Sequence, residues 1–216
     1  MKPATYFSVS VIILCLQGCV KEHNFMHISN KQKSIAIQPF GNFDTIQLNF
    51  ISREIESFYG NNVIVLKPGT IPAGFLLADE VTLYSADSLL RLLSFSLNKD
   101  IVEVIGLTDQ EIYTTKKNSR SGYKTVPGYT IRSVFGMSYQ PGNCCIISDY
   151  KLRTADTTRY NRRLRTVVFH ELGHNLGLSH CEINNCIMSE KNGSLPLLDS
   201  CCSNYCEECR NRLSHR

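Results

Sequence analysis

The residues with the most obvious chemistry lie near the C-terminal end, in the run HELGHNLGLSH from His170 to His180. His170 and His174 are four apart, so on a helix both imidazoles project from one face, one turn apart, and can share a single Zn²⁺. Glu171 falls between them, close enough to bond a water at the metal without being a ligand. Gly177 follows His174 by three residues. A glycine there can take the left-handed conformation that ends the helix and turns the chain back, bringing His180 in as third ligand. Three nitrogen ligands leave a fourth position open, which distinguishes catalytic from structural zinc. The chemistry expected is hydrolysis: the metal makes water nucleophilic near neutral pH, and Glu171 takes its proton and later hands it to the leaving amine.

The cysteines are the second signal. There are 10 in 216 residues, and six of them crowd between Cys181 and Cys209. Such local crowding reads as metal binding sooner than as a general disulfide framework. The rest of the composition is ordinary, with 43% apolar and 19% charged residues, enough for a core and too little charge for a disordered chain. A net charge of +4, from 23 basic and 19 acidic side chains, is too small a footprint for a dedicated nucleic-acid binder.

These residues need a helix to carry them, and the spacing predicts one from about Arg159 to Leu176, capped by Asp156 or Thr157, with Leu164, Val168, Leu172 and Leu176 as its core stripe. Ahead of it, Ser34–Phe40 alternates like a strand. Phe43, Ile46, Leu48, Ile51, Ile55 and Phe58 recur at helical spacing until Gly60 stops them. Val63–Leu66 and Val81–Tyr84 read as short strands, and Ser88–Leu97 as a helix capped by Ser85 or Asp87. Ile101–Leu107 reads as a buried strand, and Val134–Tyr139 and Cys145–Ser148 as a hairpin around Gln140-Pro141-Gly142-Asn143. The fold class expected is mixed α/β (α+β), a sheet with packed helices. The strand Cys145–Ser148 is the expected sheet edge on which an extended peptide could pair.

The N-terminus reads as a targeting segment. Lys2 precedes the apolar run Tyr6–Leu16, too short to span a bilayer, and Leu16-Gln17-Gly18-Cys19 resembles the lipobox of bacterial lipoproteins. The organisation expected is residues 1–18 as a lipoprotein-like signal peptide, 19–33 as a linker, and 34–216 as one domain. Cys19 would carry the lipid and hold an exported protein on the membrane of a bacterial cell envelope. His23 and His27 have helical metal-pair spacing but no third ligand, so they belong to the solvated linker.

Beyond His180 the sequence continues with Cys181, Cys186, Ile187, Met188 and Cys206-Glu207-Glu208-Cys209. HExxHxxGxxH with a following methionine is the metzincin signature, and the whole string resembles the archaemetzincin pattern HExxHxxGxxHCx4CxM…CxxC. Weaker likenesses lie at 104–109, 134–136, 147–148, 152–153, 192–195 and Asp199. The resemblance implies a metzincin-like, zincin-type fold and a zinc metallopeptidase. It implies that His170, His174 and His180 hold a catalytic zinc, that Glu171 is the general base, and that Met188 forms the methionine turn below. It further implies a second, structural zinc on Cys181, Cys186, Cys206 and Cys209, hence two Zn²⁺ per chain. Four thiolates on a Cx4C and a CxxC suit a closed tetrahedral site, with two disulfides as the rival for an exported protein.

Cys144-Cys145 and Cys201-Cys202 stand outside that pattern. Neighbours on a strand face opposite ways, so one of Cys144 and Cys145 is expected to be a small buried apolar side chain. Lys151, Arg153, Arg159, Arg162, Arg163 and Arg165 read as a solvated helix face, or else as a patch for acidic substrates or headgroups. The expected partner is a peptide or protein substrate, bound by a monomer. The reading from another class is a non-catalytic zinc module whose metals only hold a binding surface. The presence of Glu171 argues against it, because binding zinc requires no carboxylate there.

Overall fold

A computed structural model describes residues 33–77, 83–117, 124–126, 129–189, 193–200 and 204–214. The leader, Cys19, His23, His27, Val81, Asn192 and Cys201-Cys202 lie outside them.

The chain begins with β1 (Ser34–Phe40), whose apolar residues alternate between two faces, and continues into α1 (Thr45–Tyr59). Asp44 caps α1, its carboxylate accepting from the Ile46 N–H at 2.7 Å, and Gly60 ends it. β2 (Val63–Val65), β3 (Leu83–Ser85) and α2 (Ala86–Ser94) follow, and Ser85 rather than Asp87 caps α2. Next come β4 (Ile101–Thr108), β5 (Glu111–Lys117), β6 (Lys124–Val126), β7 (Tyr129–Val134), β8 (Gly136–Ser138) and β9 (Cys144–Ser148). The chain then forms α3 (Thr157–Asn175), α4 (Leu195–Ser200) and α5 (Glu207–Ser214).

The main sheet has the order β2-β1-β4-β9-β8, parallel except that β8 runs antiparallel to β9. Side chains alternate across it as the strand period requires. Ile35, Ile37, Ile105, Leu107, Cys145 and Ile147 face α1 and α3, while Ala36, Val104, Cys144 and Ile146 face α2. Both Cys144 and Cys145 are therefore buried packing residues, one on each face. On α3, Leu164, Val168 and Leu172 are wholly buried, worth ~2–3 kcal/mol each in apolar burial. Leu176, at the end of that stripe, caps the helix and is partly buried.

One expectation is corrected, and one holds in part. Cys145–Ser148 is not the edge: all five residues of β9 are buried, and β9 lies between β4 and β8. Among the described strands the edges of this sheet are β2 and β8, and β8 is the edge beside α3. A continuous apolar run such as Cys-Cys-Ile-Ile marks a strand covered on both faces. The basic run is solvated in part: Lys151, Arg153, Arg159 and Arg162 keep side chains 40–51% exposed, whereas Arg163 and Arg165 are largely buried. Lys151 pairs with Glu111, Arg153 with Asp149, Arg159 with Asp156, Arg162 and Arg163 with Asp199, and Arg165 with Glu54. The sequence reading also omits the second sheet, β3-β5-β7-β6, and the short helices α4 and α5.

Candidate active site

α3 delivers the first two histidines. Asp156 caps its start at 3.0 Å from the Arg159 N–H, and Arg163 fastens its middle to Asp199 of α4 through two bonds of 2.7 and 2.6 Å. Held this way, α3 presents His170, Glu171 and His174 to a cleft of about 540 Å³. The helix ends at Gly177, whose φ of 79° is the left-handed turn expected of it, and the chain folds back so that His180 joins the other two. The ligand atoms of His170, His174 and His180 all lie within 4.8 Å of one another.

The hydrogen bonds around these rings decide their protonation. His170 Nδ1 donates to the Ile187 carbonyl at 2.8 Å, and His174 Nδ1 to the Leu178 carbonyl at 2.7 Å. Carbonyls only accept, so both Nδ1 atoms carry the proton and both Nε2 atoms carry lone pairs. Those two Nε2 atoms face each other at 3.1 Å. Two lone pairs repel at that distance, and a cation between them turns the repulsion into ligation. The spacing is close to the ~3.3 Å expected between two nitrogens around a tetrahedral zinc. Burial pushes His170 down to about 4, which keeps it a neutral ligand. The three residues fit a metal ion.

Glu171 is 7% exposed, and its Oε2 accepts from the Ser138 hydroxyl at 2.5 Å. Burial raises its carboxyl above the ordinary range, and the Ser138 bond opposes that rise. Gly136 packs against Oε1, where a Cβ would stand only 2.8 Å away, so a side chain there would press on this oxygen. Ser138 and Gly136 belong to β8, the edge strand. Gly136 lies within a segment named in the sequence reading, but nothing in the sequence marks Ser138 as a partner of Glu171.

The turn bearing His180 is tied from behind by residues the sequence does not single out for this task. Gln140 Nε2 donates to Ser179 Oγ at 2.8 Å, and the Gly142 N–H to the Asn175 carbonyl at 3.1 Å. Asn175 Nδ2 in turn donates to the buried Glu103 carboxyl at 2.9 Å. Burial raises Glu103 to about 8.

The four cysteines form the second cluster. Cys181 and Cys206 sulfurs are 3.8 Å apart, those of Cys186 and Cys209 are 3.7 Å apart, and all four lie within 4.8 Å. A disulfide requires about 2.05 Å, and these thiols are free. Sulfurs around a tetrahedral zinc with bonds of ~2.3 Å stand ~3.8 Å apart. The Cys206 N–H donates to Cys186 Sγ at 3.3 Å, an arrangement that suits a thiolate. Burial pushes Cys186 up to about 11, so gathering this set as thiolates calls for a cation. Cys181, Cys186, Cys206 and Cys209 fit a closed metal site.

One short strip joins the clusters. Ile187 accepts from His170, and the Met188 carbonyl accepts from the Cys181 N–H at 2.8 Å. Met188 is wholly buried, its sulfur against Gly173, where any Cβ would collide with it. The methionine thus sits under α3, against the turn between His170 and His174. Tyr205, next to Cys206, donates to the Phe169 carbonyl at 2.5 Å and is met by the Tyr59 hydroxyl at 2.8 Å.

An open set of three imidazoles beside a buried glutamate, on a helix packed under a mixed sheet, is the kind of site on which zinc metallopeptidases are built. Residues 78–215 match Peptidase family M54, and the chain belongs to that family. It is similar to the archaemetzincin of Archaeoglobus fulgidus, 30% identical over 132 residues that cover 61% of this chain and 69% of the relative. It is 36% identical over 95 residues to the archaemetzincin of Halobacterium salinarum, covering 37% of this chain and 55% of that relative's length. The crystal structure of the Archaeoglobus fulgidus archaemetzincin complexed with malonate superposes with a TM-score of 0.67 at 26% identity, covering 83% of this chain and 99% of that one.

Proposed function

We propose that the protein is a zinc-dependent peptidase that hydrolyses peptide bonds, with Glu171 as general base. The observation that carries this reading is Glu171 itself, a buried carboxylate beside three convergent imidazoles that a purely structural metal site would not need. His170, His174 and His180 would hold the catalytic zinc, which when bound supplies Lewis acidity and a nucleophile at neutral pH. Ser138 holds Oε2 and so leaves Oε1 to take a proton and return it to the leaving amine. The raised affinity of this buried carboxyl for a proton suits that shuttle. The free edge of β8 would align an extended substrate through main-chain hydrogen bonds beside Glu171. Cys181, Cys186, Cys206 and Cys209 would hold a second, structural zinc, giving two per chain.

Glu171→Gln tests the assignment. Zinc content should stay near that of the parent, while cleavage of a mixed peptide library falls by ~10² to 10⁴. Undiminished turnover would sink the mechanism and favour a non-catalytic binding module.

The lipobox-like segment supports a further part of the reading, an exported, monomeric protein anchored to a bacterial envelope membrane by a lipid on Cys19. Cys19→Ala should then move the protein to the soluble envelope fraction and abolish fatty-acid labelling. Retention without label would refute the lipid anchor.

A further inference from the structure

We propose that Arg132 forms a carboxylate-binding subsite at one end of the cleft, making the enzyme select peptides with an acidic group on one side of the bond cut. The proposal rests on the peptidase reading above and names a substrate class for it.

Two non-histidine cations line the cleft, Arg132 and Lys151. They are not equivalent. Lys151 is paired with Glu111 at 2.5 Å and bonded to Ser133. Arg132 projects from β7 into solvent at the cleft wall, and among the described residues its guanidinium has neither an ion pair nor a hydrogen bond. The six basic residues from Lys151 to Arg165 each have a carboxylate partner, so local supply of acid is not what Arg132 lacks. Among the described lining residues, the sole carboxylate is Glu171, which is buried and engaged by Ser138. A planar fork of donors, unpaired beside a substrate cleft, is suited to a carboxylate from outside.

The position of Arg132 sets the register. The run from Arg132 to Ser138 lines the cleft continuously, with Gly136 and Ser138 beside Glu171. Four residues of extended chain separate Arg132 from Gly136, ~13 Å at most. A peptide laid along this wall covers that span in about four residues, so the acidic group belongs within four residues of the cut and on one side only. The carboxylate can be an acidic side chain or the α-carboxylate of a short peptide.

The test is binding of fluorescent octapeptides to the zinc-loaded Glu171→Gln protein, read by anisotropy, with cleavage by the parent mapped in parallel. Peptides carry Glu, Gln or Lys at one position, each with a free or an amidated C-terminus. The Glu peptide should bind roughly three- to tenfold more tightly than its Gln counterpart, less so at high salt. Arg132→Gln should erase that difference and Arg132→Glu should reverse it in favour of Lys peptides. In cleavage, the Arg132 variants should change KM and leave kcat near that of the parent. If amidation alone removes the gain, the bound group is the terminal carboxylate. Equal binding of all four peptides, Glu or Gln and acid or amide, or a preference that survives Arg132→Gln, overturns the proposal. Absence of any cleavage by the parent would refute the peptidase reading, while the binding difference would still decide the subsite.

Discussion

The three-histidine and four-cysteine clusters are joined through the peptide bond between His180 and Cys181, yet they are built on different principles. The histidine set has an exposed third member and opens on a cleft, and much of its support comes from side chains: Gln140 on the His180 turn, Asn175 on Glu103, Ser138 on Glu171. The cysteine set has four donors and two buried members, and its local bonds are largely from main chain, Cys206 N–H to Cys186 and Cys181 N–H to Met188. The first arrangement leaves room for a substrate and depends on groups that titrate or can be removed singly. The second would enclose whatever it binds, so the contribution expected of it is to folding. On the proposed reading, ligand number separates chemistry from architecture within a single short stretch of chain.

The sharpest way to break this contrast is to remove one ligand from each side. Cys206→Ser should cost on the order of 10 kcal/mol of metal-linked folding energy and unfold the C-terminal segment, with loss of one zinc. His180→Ala should also lose one zinc but leave the melting temperature within a few degrees of the parent. Equal melting temperatures for the two variants would show that the contrast is false.

Glu103 sharpens the open side. Its carboxyl is raised on folding from 4.5 to about 8, so the folded state binds its proton more tightly than the unfolded state. Stability from this group is complete below about pH 4.5 and declines as pH rises through about 8. Denaturation of Glu103→Gln should match the parent at low pH and exceed it by roughly 2–5 kcal/mol above pH 8. A constant difference across that range would refute the linkage.

The smallest effect concerns the contact between the two sides. Gly173→Ala would drive a methyl into Met188 and should cost about 1–3 kcal/mol in denaturant unfolding. It should also lower affinity for both metals, since Met188 supports α3 and its carbonyl anchors Cys181. A change at only one metal would mean that Met188 does not couple them.

The sequence made α3 and the main sheet legible because their signals are local: a cap at Asp156, a four-residue stripe, and apolar runs such as Ile101–Leu107. The second sheet left little trace. β5 reads Glu-Ile-Tyr-Thr-Thr-Lys-Lys with Ile112 as its one buried residue, so cross-strand pairing rather than an apolar run defines it. α5 buries only Cys209 and Leu213, too few for a periodic pattern. At the site, the histidines, Glu171 and the cysteines were legible through type and spacing. Ser138, Gln140 and Arg132 were not, because a lone serine, glutamine or arginine on a strand or turn acquires its role from what lies across the cleft.

The strip Ile187–Ser189 touches both clusters, holding His170 from one side and Cys181 from the other. With adjacent Cα atoms fixed at about 3.8 Å by a trans peptide, His180 cannot swing away without dragging Cys181 against that strip. The floor of the cleft is in effect one rigid block. Any give in the cleft would then fall to its walls, the β7–β8 run and α4, and α4 is held by Leu198 in the core and by Asp199 clasped between Arg162 and Arg163. Loosening that clasp would shift a wall of the cleft while leaving its floor in place.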